Sequence, residues 1–406
     1  VLFSGFTRDS GLTGKGAPRH PAHWLSCLVL EVLRMAKLRS INRDRLSAFL
    51  MLAPSVILIA IFVYGFIGRT TYDSLTNWQG VGDKTDVEFV GLANYDQLFT
   101  GLLDVRFRQS LVNTFFFTLF FMAGCVFLGL LMAVLLDQSV RFEGVFRIIF
   151  LFPMSLSFIV SGTVWRWLFN PKGGLNRLPT LIGLEPLTIR WMTDRTQIWQ
   201  FNWQDLPKIL AIGAIIFLTL LVIRFWRRER KRAAYVIGAL AAVILVWTAL
   251  GGADAIQTTK YPEPHGFNIA LISLVIAAVW QMSGYTMAMY LAGIRGIPEE
   301  LREAARVDGA SELQVYRHII IPILQPITLS AMIVLGHISL KIFDLVFVMA
   351  GPDNATTDVP GTLMFTTAFR ANQFAKGAAI AMVMLVLVAL VIVPYLVTTL
   401  RSEHEL

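Results

Sequence analysis

Gly296-Ile297-Pro298-Glu299-Glu300-Leu301-Arg302-Glu303-Ala304-Ala305-Arg306-Val307-Asp308-Gly309-Ala310-Ser311, running on to Ile319-Ile320-Ile321-Pro322, is a charged island between two apolar stretches. Pro298 suits the first turn of a helix, where its missing N–H costs nothing. Glu299 and Glu300 follow and favour the positive end of that helix. Leu301, Glu303, Ala304 and Ala305 are strong helix formers that carry it on. Gly309 is placed to stop it in a left-handed cap, and Ser311 with Gln314 fits a capping box opening a second helix. Pro322 marks where that second helix meets the following apolar stretch, with a kink expected there. The spacing predicts two short helices at an angle, exposed as a docking knob; the bland alternative is an amphipathic connector.

The rest of the chain reads as membrane protein. It has 406 residues, 55% of them hydrophobic and 15% charged, with a mean hydropathy of +0.62. That is too apolar for a soluble domain. The formal charge of +8 sits beside apolar stretches, as the positive-inside rule requires. No basic–aromatic groove or nucleic-acid motif accompanies it, so nucleic acid is not an expected partner. The two cysteines, Cys27 and Cys125, indicate neither a disulfide framework nor a metal site. Residues 1–34 begin with Val and are too weakly apolar to span a bilayer. Met35-Ala36-Lys37-Leu38-Arg39 resembles a natural start.

A spanning helix needs about 20 mainly apolar residues. Six long candidates are residues 46–67, 112–136, 146–169, 268–292, 324–349 and 377–399, and two more, 209–223 and 233–250, lie between the third and fourth. The shorter of these needs Lys208 and Arg224 to snorkel outward. Between them runs the basic turn Arg224-Phe225-Trp226-Arg227-Arg228-Glu229-Arg230-Lys231-Arg232. Lys37, Arg39, Arg43 and Arg45 put the N-terminus in the cytoplasm. With eight spans the basic turn, the charged island and the C-terminus all return to that side. With seven the island lies outside, and with six the basic turn does. The fold expected is all-α, a polytopic bundle of six core helices plus an inserted pair. Its parts are an N-terminal arm (1–44), a first span and outer loop (45–110), and a transmembrane domain (111–400). The insertion lies at about 200–266, the knob at 295–322 and a tail at 401–406.

Glu303-Ala304-Ala305, three residues, Gly309, nine residues, then Ile319-x-Ile321-Pro322 resembles the EAA loop of permease subunits in ATP-binding-cassette importers. Only the family's Leu is replaced, by Ile321. Phe89-Val90-Gly91-Leu92-Ala93-Asn94-Tyr95, Phe150-Leu151-Phe152-Pro153, Trp165 to Asn170, Trp280-Gln281, Tyr290 to Ile294 and Phe343-Asp344 are similar to segments of the carbohydrate-uptake branch, in the same order. The likeness covers about 46–401 except the stretch near 200–266. It implies a type I importer permease in which Glu303, Ala304, Ala305, Asp308, Gly309, Ile319 and Pro322 couple to an ATPase. The implied partners are a dimer of ATP-binding subunits, a second permease, an extracytoplasmic sugar-binding protein and the lipid bilayer. Most members have six spans, so the inserted pair is a departure. Phe152 to Phe158 resembles permeases for glucose, mannose or α-glucosides; glycerol phosphate and polyols use similar permeases.

No catalytic site is legible. The nearest approach to a phosphate loop is Gly14-Lys15, but Gly16 stands where Ser or Thr is required, and Asp9 where a Gly is. No zinc or nucleophile-elbow motif appears, so no catalytic residue, metal or cofactor is expected and ATP is split elsewhere. A sugar path needs polar and aromatic groups within the bundle. Asn113, Trp165, Trp280, Gln281, Tyr285 and Asp344 are the candidates. Asp344 is notable because ionisable groups within spans are costly. Lys341, three residues earlier, would share its helical face and form an ion pair, and His337 reads as a satisfied interior histidine. A secondary transporter would require two similar halves, and a membrane glycosyltransferase an acid or metal cluster; neither pattern is present in the sequence.

Overall fold

The computed structural model describes residues 47–80, 87–138, 140–256 and 258–403. The readings made for the N-terminal arm, including the start at Met35 and Cys27, lie outside these residues. Six helices are long and apolar enough to cross a membrane, and the number rises to eight if each of two bent pairs is one span. The eight expected are the upper end of that range, with their ends redrawn.

The first span, α1, is Ser47–Ser74. Residues up to Gly68 separate from Arg69 onward as a unit, and within that unit the apolar side chains from Phe49 to Phe66 are exposed. After the short α2 (Ala93–Thr100) comes α3, Val105–Asp137. The boundary drawn at 110/111 falls inside this helix, because Arg106, Arg108 and Gln109 extend it beyond its apolar stretch. The third span is not one helix. It runs as α4 (Glu143–Leu151) and a 3-10 turn, then bends by 100° into α5 (Phe158–Leu168). Leu156 is extended at the break, and the freed Leu156 carbonyl accepts from Gln281 Nε2 at 2.8 Å. Backbone broken at membrane depth needs such a partner.

The insertion is tied together by an antiparallel ribbon, β1 (Gln197–Asn202) with β2 (Pro264–Asn268). The ribbon was not legible as strands and is a small exception to the all-α expectation. It frames the hairpin α6 (Leu206–Arg227) and α7 (Lys231–Ala249). At 1.5 Å per residue α6 is about 33 Å long, with Lys208 and Arg224 inside its two ends, and Lys208 pairs with Asp254 at 3.2 Å.

The central helix is α8, Leu271–Arg295: 61% of its apolar window is buried, against 28% for α3. The two helices meet at small residues. A Cβ added to Gly129 would lie 2.1 Å from Thr286 Oγ1, so only glycine permits this approach. Thr286 Oγ1 donates to the Cys125 carbonyl at 2.7 Å. Lipid gives no hydrophobic drive for helix association, and close packing with interhelical hydrogen bonds replaces it.

The N-terminal end of α3 is bolted by polar groups. Arg108 is fully buried and reaches both Glu263 oxygens, at 2.8 Å through Nε and 2.6 Å through Nη2. His265 lies between Glu263 Oε1 (2.5 Å) and Gln109 Oε1 (2.7 Å). Asn113 donates to the carbonyls of Thr356 (3.0 Å) and Asp358 (2.8 Å) and accepts from Gln109 and Asn268. Arg106 pairs with buried Asp358. Burial raises the Asp358 pKa. Burial also works against the Glu263 charge, but Arg108 and His265 outweigh it and hold the pKa below the ordinary carboxylate value. His265 faces an acceptor oxygen at each ring nitrogen, so both nitrogens donate.

Two outcomes follow for this joint. Arg108→Met removes the guanidinium from Glu263 and leaves it only His265, and should cost about 3 kcal/mol, read as a lower thermal midpoint of the purified protein. Replacing Glu263 as well should recover part of the loss; no change on Arg108→Met would refute the joint. Acid should weaken it. The stability that depends on ionised Glu263 is lost as pH falls through its depressed folded pKa. Below about pH 4.3 the midpoint should fall, and Glu263→Gln should flatten that slope.

Candidate functional site

The quoted stretch folds as two short helices. The first, α9, is Glu299–Val307. Pro298 is its N-cap, in extended conformation, one position earlier than expected, because the fixed proline φ also suits the residue that leads a helix in. The C-terminus is closed twice over: Ala310 N–H reaches the Ala305 carbonyl at 3.0 Å and Gly309 N–H reaches that of Arg306 at 3.0 Å. Gly309 sits at φ +81°, the left-handed cap its position predicts. Gln314 Oε1 accepts from Ser311 N–H at 2.7 Å, half of the capping box that starts α10, Glu312–Ile323.

The second helix loosens into a π turn at Tyr316–Ile320. Pro322 has no N–H to offer residue 318 and crowds its carbonyl, which accounts for the widened turn. The bend of 63° into α11 (Gln325–Leu340) falls at Leu324, two residues past Pro322 and two before Pro326.

The knob has an inner and an outer side. On the inner side Arg302, 11% exposed, pairs with Asp137 at 2.9 Å and donates to the Ile294 carbonyl at 2.9 Å. Tyr316 hydroxyl donates to the same Asp137 carboxylate at 2.7 Å. One carboxylate at the end of α3 thus holds both short helices, while Arg302 also caps the carbonyl end of α8. On the outer side Arg306 bridges Glu299 (3.1 Å) and Glu312 (2.8 Å), and its pKa is raised by the Glu312 hydrogen bond and charge first, then by Glu299. Glu303, Ala304 and Asp308 are exposed. So are the large apolar side chains Val307 (86%) and Leu313 (78%). A cavity of about 320 Å³ lies between the turn and the second helix, lined by Asp308, Gly309, Ala310, Gln314, Val315, His318 and Ile319. Of the residues expected to couple, Asp308, Gly309 and Ile319 line it, Glu303 and Ala304 face outward, Ala305 is half-buried, and Pro322 is exposed.

The proposed pathway residues scatter. Trp165 and Trp280 meet edge to face with ring centroids 5.7 Å apart and line an apolar cavity of about 640 Å³ with Phe120, Pro153 and Ser283. Trp165 Nε1 is buried without a partner. Tyr285 is half-buried on α8 and does not line that cavity. Gln281 serves the broken backbone at Leu156 with its amide N–H, while its Oε1 is unpartnered. Asn113 is locked into the joint at the N-terminal end of α3 and has no free surface.

Two readings are corrected. Lys341 and Asp344 do not share a helical face, because α11 stops at Leu340 and Asp344 opens a new helix, α12 (Asp344–Ala350). Both are exposed and no ion pair joins them. Asp344 instead sits at the favourable N-terminus of α12. His337 is not satisfied: its Nδ1 is buried with no hydrogen-bond partner. Sequence reading also missed Arg302 and Asp137 as a pair, and Arg108 with Glu263. The signal available was a buried-looking charge one turn outside an apolar stretch.

Comparison with known proteins agrees with this architecture. Residues 233–402 match the family model described as the binding-protein-dependent transport system inner membrane component; the match starts within α7, inside the inserted pair. A probable ABC transporter permease protein of Pyrococcus horikoshii is 36% identical over 358 residues, 88% of this chain and 96% of that one. The xylose/arabinose import permease protein XacH of Haloferax volcanii is 32% identical over 344 residues, 84% of each chain. Among solved structures, a bacterial ABC transporter for import of the acidic polysaccharide alginate superimposes with a TM-score of 0.58 at 17% identity, covering 88% of this chain and 96% of that one. A related structure of the alginate transporter contains an alginate pentasaccharide-bound periplasmic protein. With the broken third span, the kinked entry to α11 and the knob at 299–323 in place, the chain belongs to the family of inner-membrane permease subunits of binding-protein-dependent ABC transporters, and is not itself an enzyme.

Proposed function

We propose that this permease forms half of the translocation path of an ATP-driven sugar importer and is moved through residues 299–323. The observation that carries this reading is the two-sided knob. Its inner side is fastened to α3 and α8 through Asp137 and Arg302, and its outer side presents Val307, Leu313, Glu303 and Asp308 with nothing against them in this chain. Exposed apolar side chains on a rigid polar loop suit insertion into a cleft of another protein. That protein would be an ATP-hydrolysing subunit, two copies of which serve this chain and a second permease. A push on the knob reaches α11 through the bend at Leu324, and alternating access follows from the different affinity of the ATPase pair for the two states.

A sugar substrate is supported by the xylose/arabinose relative and by the aromatic wall of Trp165 and Trp280, which offers flat apolar faces to sugar rings. A mono- or oligosaccharide of the glucose, mannose or α-glucoside type fits the resemblance at Phe152 to Phe158. An extracytoplasmic binding protein would select and deliver it. In this reading both termini, the knob and the 224–232 turn are cytoplasmic.

The test uses the importer reconstituted with its binding protein. Glu303→Lys and Gly309→Val should each reduce sugar uptake and sugar-stimulated ATP hydrolysis at least about tenfold, since Val at φ +81° strains the cap. Affinity of the binding protein for sugar should not change. Wild-type uptake in both variants would sink the coupling role. For orientation, a cysteine placed at Arg228 in a chain without other reactive thiols should react with an impermeant reagent only after the cells are opened; labelling of intact cells would overturn the eight-span arrangement.

A further inference from the structure

The turn between α6 and α7 stands apart from every other charged site. Arg224, Arg227, Arg228, Arg230, Lys231 and Arg232 supply six cations, and Glu229 a single acid, within nine residues. All seven side chains are exposed. Among the described residues no ion pair reaches any of the six cations. The knob is the opposite case. There Arg302 and Arg306 are neutralised by acids of this same chain. At the far end of the hairpin, too, the cation is matched, Lys208 by Asp254. Arg141, Arg147, Arg317 and other cations are also without an ion pair, but nowhere else among the described residues do six unpaired cations fall within nine positions.

The turn has a defined shape. Arg228 N–H bonds the Arg224 carbonyl at 3.2 Å and Arg230 N–H that of Phe225 at 3.1 Å, and Glu229 closes the corner at φ +58°. Just inside it Trp226 and Tyr235 meet edge to face with ring centroids 5.8 Å apart, and both are exposed, at 51% and 65%. Amphipathic rings of this kind belong at the headgroup level of a bilayer. The hairpin behind them is apolar, and only 6% and 11% of the two span windows is buried within the chain. Lipid is therefore the natural covering of its faces, and the cations emerge where that lipid ends.

We propose that the 224–232 turn is a binding surface for anionic lipid headgroups, which tethers the inserted hairpin to charged lipid at the membrane surface. Arg and Lys clusters next to a spanning helix gather acidic lipid by charge, at a strength that grows with each cation. Arg side chains also offer paired N–H donors to a phosphate. The inference rests on the hairpin crossing the membrane twice. It does not depend on which face carries the turn, because nanodiscs expose both faces, so its failure is separable from failure of the orientation above.

The test incorporates the purified full chain into nanodiscs of phosphatidylcholine containing a minority of chain-brominated lipid, either phosphatidylglycerol or phosphatidylcholine. Bromine quenches nearby indole fluorescence, and Trp226→Phe isolates the part due to Trp226. In the wild type, quenching by brominated phosphatidylglycerol should exceed that by brominated phosphatidylcholine, and high salt should diminish the excess. Combining Arg227→Gln, Arg228→Gln, Arg230→Gln and Lys231→Gln should lower the apparent preference for the acidic lipid by about tenfold or more. Equal quenching by the two lipids in the wild type would overturn the proposal, as would a preference that survives the fourfold variant or ignores salt. Binding of an acidic polypeptide at the turn, with no lipid preference, would make it a protein dock and overturn it equally. The salt titration is done on the wild type, so the proposal remains falsifiable if the variant fails to fold.

Discussion

The contact on which the structure depends is the close approach of α3 to α8 at Gly129 and Thr286. In lipid, apolar side chains gain little by leaving the hydrocarbon for each other. Helices hold together where their backbones come close enough for dense packing and interhelical hydrogen bonds. Gly129 removes the side chain that would collide with Thr286, and the Thr286 hydroxyl then reaches the Cys125 carbonyl. This pair forms a spine. One end carries Arg108, Gln109 and Asn113, and the other end carries Asp137 and Ile294, where the knob is fastened.

The two ends of the spine use charge differently. The joint at Arg108 buries its ions: Arg108 has essentially no exposure and is satisfied by Glu263 and the Leu98 carbonyl. Such a pair is a weak source of net stability but is costly to break on one side, which suits a fixed connection between insertion and core. The knob keeps one half-buried pair, Arg302 with Asp137, and leaves Glu299, Arg306 and Glu312 in an exposed cluster. Exposed pairs contribute little each; here they set the angle between two short helices rather than hold them to the bundle. The basic turn at 224–232 has no internal partner and depends on its surroundings.

Breaks in helices are equally informative. At Leu156 the third span turns through 100° and its carbonyl is recovered by Gln281. At Tyr316–Ile320 the helix widens before Pro322, and the axis turns at Leu324. At Leu340 the helix ends before the span has run its expected length, and Phe343, with φ −133°, precedes a new helix. Two residues read as facing a substrate path lie at these breaks: Gln281 is engaged with the Leu156 backbone, and Asp344 is parted from Lys341 by the end of its helix.

The amino-acid sequence alone determined the properties set by local pattern and composition. These are the number of spans, the cap at Gly309, the two helices of the knob, and the family signature that runs through Glu303, Ala304, Ala305 and Gly309. Each depends on residues within a few turns of one another, whose spacing is itself the physical cause. Tertiary structure decided what depends on approach between distant segments: that Asn113 locks a loop 240 residues later rather than lining a path, that Gln281 serves Leu156, that Arg302 finds Asp137, and that Lys341 and Asp344 part company. Hydrogen bonds and ion pairs need atoms within about 3 Å. No periodicity in a chain specifies which remote carbonyl or carboxylate will arrive at that distance; only the packing of α3 on α8 does.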